Sequence, residues 1–282
     1  MIGEWSASSR STPAAGRAAR RLVERAYGRV PVSAPARIRN AYHRRFHETD
    51  FDGYERPPDP FAVRWVDPDR IESFTGRPFP PYHGKVDDLG TVRDGDWDRR
   101  DEPPIVDDDY RARYDLYRAD GFTESVFFGS LRAHFEDGVP WRKTPFVDRC
   151  LELAARGEPS WRGRTSASAI LERCAYLDDL YERIEAEGYR SQRELGERSV
   201  LRVTDEVVVD VARDGTFLFV NGRHRLAIAK LLDLEEIPVG VLVRHADWMD
   251  ARDSYARSGA VPDHPDLRDL RSAAGSERTG GP

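Results

Sequence analysis

Between residues 205 and 245 the chain reads DEVVVDVARDGTFLFVNGRHRLAIAKLLDLEEIPVGVLVRH, the most densely patterned stretch it has. Residues 207–211 are a β-branched run, Arg213-Asp214-Gly215 is a turn signal, and 216–220 is a second strand-like run. Together they predict a β-hairpin. Asn221-Gly222 stops the second strand. From 223 to 232 the apolar residues take helical spacing: Ala227 and Leu231 share a face with Leu234, and Ile228 and Leu232 lie beside them. Pro238 closes that unit, and 239–243 reads as a third strand. Strand, helix and returning strand predict a crossover, for which the right-handed connection is the rule. The expected fold class is therefore α+β (mixed α/β), with 207–211, 217–220 and 239–243 in one sheet, joined by the earlier run 63–66. Leu177, Leu226, Ile228, Leu231 and Val241 are the expected core.

The chemistry sits where the second strand meets the helix. Gly222 has no Cβ, so backbone there can approach a ligand closely. Arg223, His224 and Arg225 fall in the first helical turn, where free N–H groups already favour negative charge. Cations at that place make sense if an anion lies between them and the N–H groups, and arginine forks suit phosphate. The alternative is that Arg223 and Arg225 face solvent or pair with Asp205, Asp210 or Asp214, with His224 structural. Spacing alone leaves both open.

The run Phe219-Val220-Asn221-Gly222-Arg223-His224-Arg225, followed by Leu226-Ala227-Ile228-Ala229 and later by Ile237-Pro238-Val239, resembles the core of the ParB/sulfiredoxin-like superfamily. The helix ending Tyr181-Glu182-Arg183-Ile184-Glu185-Ala186-Glu187-Gly188 resembles the one that precedes the motif in that family, so the likeness spans 177–245, about a quarter of the chain. It implies a ParB/sulfiredoxin-like sheet-and-helix domain. It also implies a phosphate cradle made by Asn221, Gly222, Arg223, His224 and Arg225, with a nucleotide and magnesium as the implied cofactor. Three departures narrow the activity. Sulfiredoxins place their catalytic cysteine where this chain has Arg223, and neither Cys150 nor Cys174 can replace it by position. Free-serine kinases of the superfamily carry an acid where Asn221 stands. No helix-turn-helix unit follows the motif, as chromosome partitioning would need.

Composition limits the partners. The net charge is −6, with 44 Lys+Arg against 50 Asp+Glu, and the only lysines are Lys85, Lys143 and Lys230. That balance suggests a GC-rich genome and a salt-adapted cytoplasm, where screening weakens generic basic patches and nucleic acid is not a favoured partner. Two cysteines without a C-x-x-C pair support neither a disulfide framework nor a cysteine zinc site. No run is long and apolar enough for a transmembrane segment, and no apolar signal core opens the chain, so the expected location is cytoplasmic.

The expected organisation is a basic helical arm over 1–52, a ParB/sulfiredoxin-like domain over 60–250 with a helical insertion at about 107–165, and a polar tail over 254–282. In the arm, His43 and His47 share a helical face at a spacing zinc can use, but no third ligand is fixed by pattern and no metal site is expected. In the insertion, Thr123 opens a segment that Gly138 ends, and Thr144-Pro145 is an N-cap and N1 pair. Ser166 caps a long helix whose stripe Ile170, Cys174, Leu177, Tyr181 and Ile184 is core. The loop before it offers Arg164, Thr165 and Ser166 as secondary ligand candidates, set against an ordinary capped loop, and His245 at the last strand's end is another.

Three function classes follow. The first is a protein binding a nucleotide or other phosphate-bearing small molecule at 222–225, with phosphoryl transfer or nucleotide hydrolysis as the chemistry. The second is a nucleic-acid-binding or ParB-like nuclease module. The third is a non-catalytic regulatory protein that keeps the fold. Phosphoryl transfer needs a base and usually a metal besides the cradle, and no motif supplies either.

Overall fold

The computed structural model describes residues 35–106 and 114–271. Most of the expected basic helical arm, residues 1–34, the first part of the insertion and the end of the tail lie outside the described residues. The chain divides into two compact units, residues 1–48 and 49–282. In the first, α1 (Ala36–Phe46) follows Pro35 and buries none of its residues. His43, Arg44 and Arg45 occupy its last turn, the favourable end of the helix dipole for cations.

The second unit is a mixed α/β fold built on a five-stranded sheet. Its centre is β5 (Ile237–His245), nine residues and all buried. On one side β5 pairs in parallel with β3 (Val207–Val211), Val207 facing Val239 and Val209 facing Val241. β4 (Phe217–Asn221) then pairs antiparallel with β3 at the edge, Val209 facing Phe219. On the other side β5 is long enough for two partners. β1 (Arg64–Val66) runs antiparallel along its first residues, and β2 (Thr91–Arg93) runs parallel along its last. The apolar run near residue 63 therefore does join the C-terminal sheet.

Both faces of the sheet are covered, which explains why β3 and β5 read as nearly continuous valine rather than alternation. Val207, Val209 and Val211 of β3 point into one core with Phe217, Phe219, Val239 and Val241. Helices close that side: α2 (Tyr114–Tyr117), α3 (Val126–Phe135), α4 (Pro145–Ala155), α5 (Ala167–Glu187) and α6 (Arg223–Leu231) all contribute buried residues. Val208, Leu218, Val220 and Leu242 face a smaller core roofed by loop residues Phe61, Leu89, Trp97 and Val203.

The hairpin forms as expected: Gly215 N–H donates to the Ala212 carbonyl, and Ala212 N–H to the Thr216 carbonyl. Gly215 is required twice over, by φ +90° and because a Cβ would lie 2.6 Å from the Trp248 ring. The hairpin corrects the expected crossover. β4 and β5 are not neighbours, since β3 lies between them, and they run in opposite directions. The parallel pair is β3 and β5, so the handedness rule for parallel strands does not govern β4–α6–β5.

Local signals fared unevenly. Ser166 caps α5 through Ala169 N–H, and Gly188 ends it. Thr144 precedes α4, but its hydroxyl donates to the Trp141 carbonyl instead of capping. α3 starts at Val126 under a Ser125 cap, not at Thr123, whose N–H and hydroxyl are both taken by Glu72 Oε1. Beyond 254, α7 (Ala246–Ser258) continues to Ser258. Asp266 then buries completely and accepts bonds from Arg244, Arg64 and Trp248 Nε1, tying this segment to the sheet.

Candidate functional site

The joint between β4 and α6 is set by one residue. Gly222 takes φ +96°, ψ 22°, a left-handed conformation, as the N-cap of α6. A Cβ there would lie 2.9 Å from Val207 Cα, so the neighbouring strand also excludes any side chain. Its carbonyl accepts from the N–H groups of Arg225 and Leu226 at 3.0 and 3.1 Å. No side chain caps this helix.

The first turn of α6 opens on a cleft of about 700 Å³, lined by Asn221, Gly222, Arg223, His224 and Arg225 together. Opposite stands α5, which presents Arg173, Tyr176, Leu180, Arg183 and Glu187. The loop before α5 supplies Trp161 and Arg162, and the start of β3 supplies Asp205 and Glu206. The volume falls in the range of small-molecule sites, and the lining mixes aromatic rings with many charged side chains.

The three cationic-type residues of the motif have different roles. Arg223 lays its guanidinium 4.0 Å from the centroid of the Tyr117 ring, a cation–π contact. His224 sits between aromatic rings, 5.4 Å from Phe127 and 5.7 Å from Trp161 by centroid. Its Nδ1 lies 3.2 Å from Arg173 Nη2. Burial first, and then the charges of Arg173, Arg223, Arg162 and Arg225, hold its pKa well below the usual histidine value. The ring is thus neutral. A guanidinium can only donate, so Nδ1 accepts and the hydrogen belongs on Nε2. Arg225 turns the other way: Nη2 donates to the Asp205 carbonyl, and Nη1 lies 3.6 Å from Glu206 Oε2. Of the alternatives open at the sequence level, Arg225 takes the internal pair, but with the Glu206 carboxylate and the Asp205 backbone rather than with an aspartate side chain.

Glu206 is the carboxylate that sequence reasoning missed. It is 1% exposed and accepts the Gln192 N–H on Oε1 at 2.6 Å. Burial pushes its pKa up to about 7, against the lowering effect of that bond and of Arg225. Next to it, Asp205 is held below the ordinary carboxylate value: burial opposes this, but bonds from Lys85 and Arg202 outweigh it. A carboxyl and an imidazole displaced in opposite directions on one cleft wall mark a functional-site candidate.

The secondary candidates are placed elsewhere. Arg164 closes its own turn through the carbonyls of Ala169 and Trp161, Ser166 is occupied as a cap, and Thr165 is exposed; none of the three lines the cleft. From that loop Arg162 enters instead. It is held at φ 52°, in the left-handed region that non-glycine residues seldom adopt, and such strain concentrates at functional sites. Among the described residues, Arg162 and Arg183 carry no hydrogen bond or ion pair. His245 is buried at the far end of β5, bonded to the Gly95 carbonyl and to Asp247 N–H, stacked on Trp97, and outside the cleft. No cluster of three His, Cys, Asp or Glu able to hold a metal occurs among the described residues. Nor is any described helix long and apolar enough to cross a membrane.

Against known proteins, no family model, no curated protein and no solved structure matches this chain.

Proposed function

We propose that this is a cytoplasmic protein that binds a phosphate-bearing small molecule or nucleotide in the cleft, with phosphate oxygens at the N-terminus of α6. One observation carries it: a helix N-terminus with no capping side chain, fixed by Gly222, opens on a cleft of about 700 Å³ with Arg162, Arg173, Arg183 and Arg223 around it. Backbone N–H groups and the helix dipole attract an anion, and guanidinium groups complete its coordination. An anion in the cleft would relieve the mutual repulsion of these guanidinium groups. Aromatic walls at Trp161, Tyr117 and Tyr176 suit the organic part of such a ligand. The resemblance of 177–245 to the ParB/sulfiredoxin-like superfamily agrees with this, because there the same element cradles phosphate.

The test is a thermal-shift screen of inorganic phosphate, nucleoside di- and triphosphates and sugar phosphates, with and without magnesium, since a ligand of the folded state raises apparent stability by mass action. Arg162→Ala should leave the melting temperature of the free protein unchanged and weaken phosphate-ligand affinity by about tenfold to hundredfold, the value of one charge-assisted bond. A screen in which no phosphate compound shifts the transition would sink the proposal.

A further inference from the structure

Buried polar atoms without a hydrogen bond concentrate on the walls of the cleft. Among the described residues six such side-chain atoms occur. Five of them belong to residues that line the cleft: Trp161 Nε1, Arg173 Nε, Tyr189 OH, Glu206 Oε2 and His224 Nε2. Native folds leave few buried polar groups unpaired, so five around one cleft point to groups that a ligand supplies.

These atoms sort into two groups. Trp161, Arg173 and His224 form the first, with Arg173 Cζ 6.0 Å from the Trp161 ring centroid and Nη2 3.2 Å from His224 Nδ1. Their unpaired atoms are all N–H donors, which suits phosphate oxygens. The second group surrounds Glu206. Oε1 is taken by Gln192 N–H, leaving Oε2 as the free acceptor, with Arg225 Nη1 at 3.6 Å and Tyr189 close enough to feel both charges. A second phosphate is excluded there by the carboxylate itself. An ammonium group would meet Arg225, with Lys85 and Arg202 a residue away on Asp205. A neutral hydroxyl meets neither repulsion and can donate to Oε2. Oε2 is covered from solvent, so a hydroxyl bound there would have to displace the Arg225 side chain beside it, which is 23% exposed. Residues of both groups line the same cleft of about 700 Å³, so one small molecule bound in it can approach both.

We propose that the ligand is a phosphate ester of a hydroxylated organic group, a sugar phosphate or a nucleotide with free sugar hydroxyls, and that Glu206 Oε2 selects it by accepting a hydrogen bond from one hydroxyl. This rests on the phosphate assignment above and names the other end of the same ligand. Glu206 is then a specificity-determining residue. With its pKa raised to about 7, Oε2 accepts in the ionised form, so the bond to the hydroxyl strengthens as pH rises through 7.

The experiment compares inorganic phosphate, ribose 5-phosphate and cyclopentylmethyl phosphate, which keeps the ring size without hydroxyls, by calorimetry on the full chain. The expected result is that ribose 5-phosphate binds about tenfold to hundredfold more tightly than the hydroxyl-free ester. Glu206→Met should abolish that preference and leave the affinity for cyclopentylmethyl phosphate unchanged. Glu206→Gln, which keeps an acceptor for Gln192 N–H, should reduce the preference and serves if the methionine variant does not fold. Equal affinity of the two esters for the parent protein overturns the proposal, as does a preference that survives both substitutions. A parallel change for all three ligands also overturns it, since Glu206 would then act only through Arg225. If not even inorganic phosphate binds, the phosphate assignment fails and takes this inference with it.

Discussion

Arg225 Nη1 lies 3.6 Å from Glu206 Oε2, at the point where the first turn of α6 meets the start of β3. On spacing alone, a cation in that turn works against the helix dipole, and its removal would leave the free protein intact or slightly more stable. The geometry reverses the expectation. Arg225 compensates a buried carboxylate and donates to the Asp205 carbonyl. Arg225→Ala should therefore destabilise the protein by about 1–3 kcal/mol, the cost of leaving buried partners unsatisfied. Equilibrium unfolding in urea measures it, and a variant as stable as the parent would show that the pair contributes nothing.

Glu206 makes stability depend on pH. Its folded pKa is about 7 against an ordinary 4.5, so between these values the folded protein binds more protons than the unfolded chain. Stability should then fall as pH rises from about 4.5 to 7 and stay level above, by roughly 2–3 kcal/mol for a shift of this size after some solvent screening. Glu206→Gln removes the titration and should be the more stable protein at pH 8. Denaturation midpoints of both proteins at pH 5, 6, 7 and 8 test this, and parallel curves would refute it.

The two faces of α6 separate by burial. Leu226 and Ile228 are fully buried, but Leu231 is only partly so, at the last turn before the chain leaves the helix at Asp233 with φ 50°. Leu231 is thus not the full core position that periodicity assigns it. Leu226→Ala should cost about 2–5 kcal/mol and Leu231→Ala clearly less, since its site is already open to solvent. Equal losses would mean that the helix end packs more tightly than described.

Strands and helices were legible because each has a local cause: valine runs for β3 and β5, an aspartate-glycine turn for the hairpin, Ser166 and Gly188 for the ends of α5. The order of the sheet was not, because which strand β5 pairs with is decided by packing between distant segments. The motif 221–225 was legible as a site, but the partners of its side chains were not. Glu206 precedes a strand like any solvated acid, and only the fold shows that Gln192, Tyr189 and Arg225 enclose it. One part could have been read. Arg173, Tyr176, Leu180, Arg183 and Glu187 recur at helical spacing beside the core stripe of Ile170, Cys174, Leu177 and Ile184. A second stripe mixing arginine with an aromatic and an aliphatic residue is the pattern of a cleft wall rather than of a solvated face.

His224 should stay neutral at pH values where an ordinary histidine is charged. Burial and four surrounding guanidinium groups oppose its protonation, and Arg173 already donates to Nδ1. The unfolded chain takes up that proton near pH 6.5, so the folded protein loses stability as pH falls below 6.5. The sign is opposite to that of Glu206, and the two contributions offset each other in the parent protein around pH 5–6. Single variants separate them: with Glu206→Gln the acid-side loss due to His224 should emerge, and with His224→Gln the Glu206 slope should steepen. Nitrogen chemical shifts of the ring give the direct measurement. They should report the Nε2–H tautomer at pH 7 and hold it at pH 5.5. An imidazolium signal appearing near pH 6.5 would mean that the ring is solvated, that Arg173 does not donate to it, and that the donor group assigned to phosphate oxygens is not assembled as described.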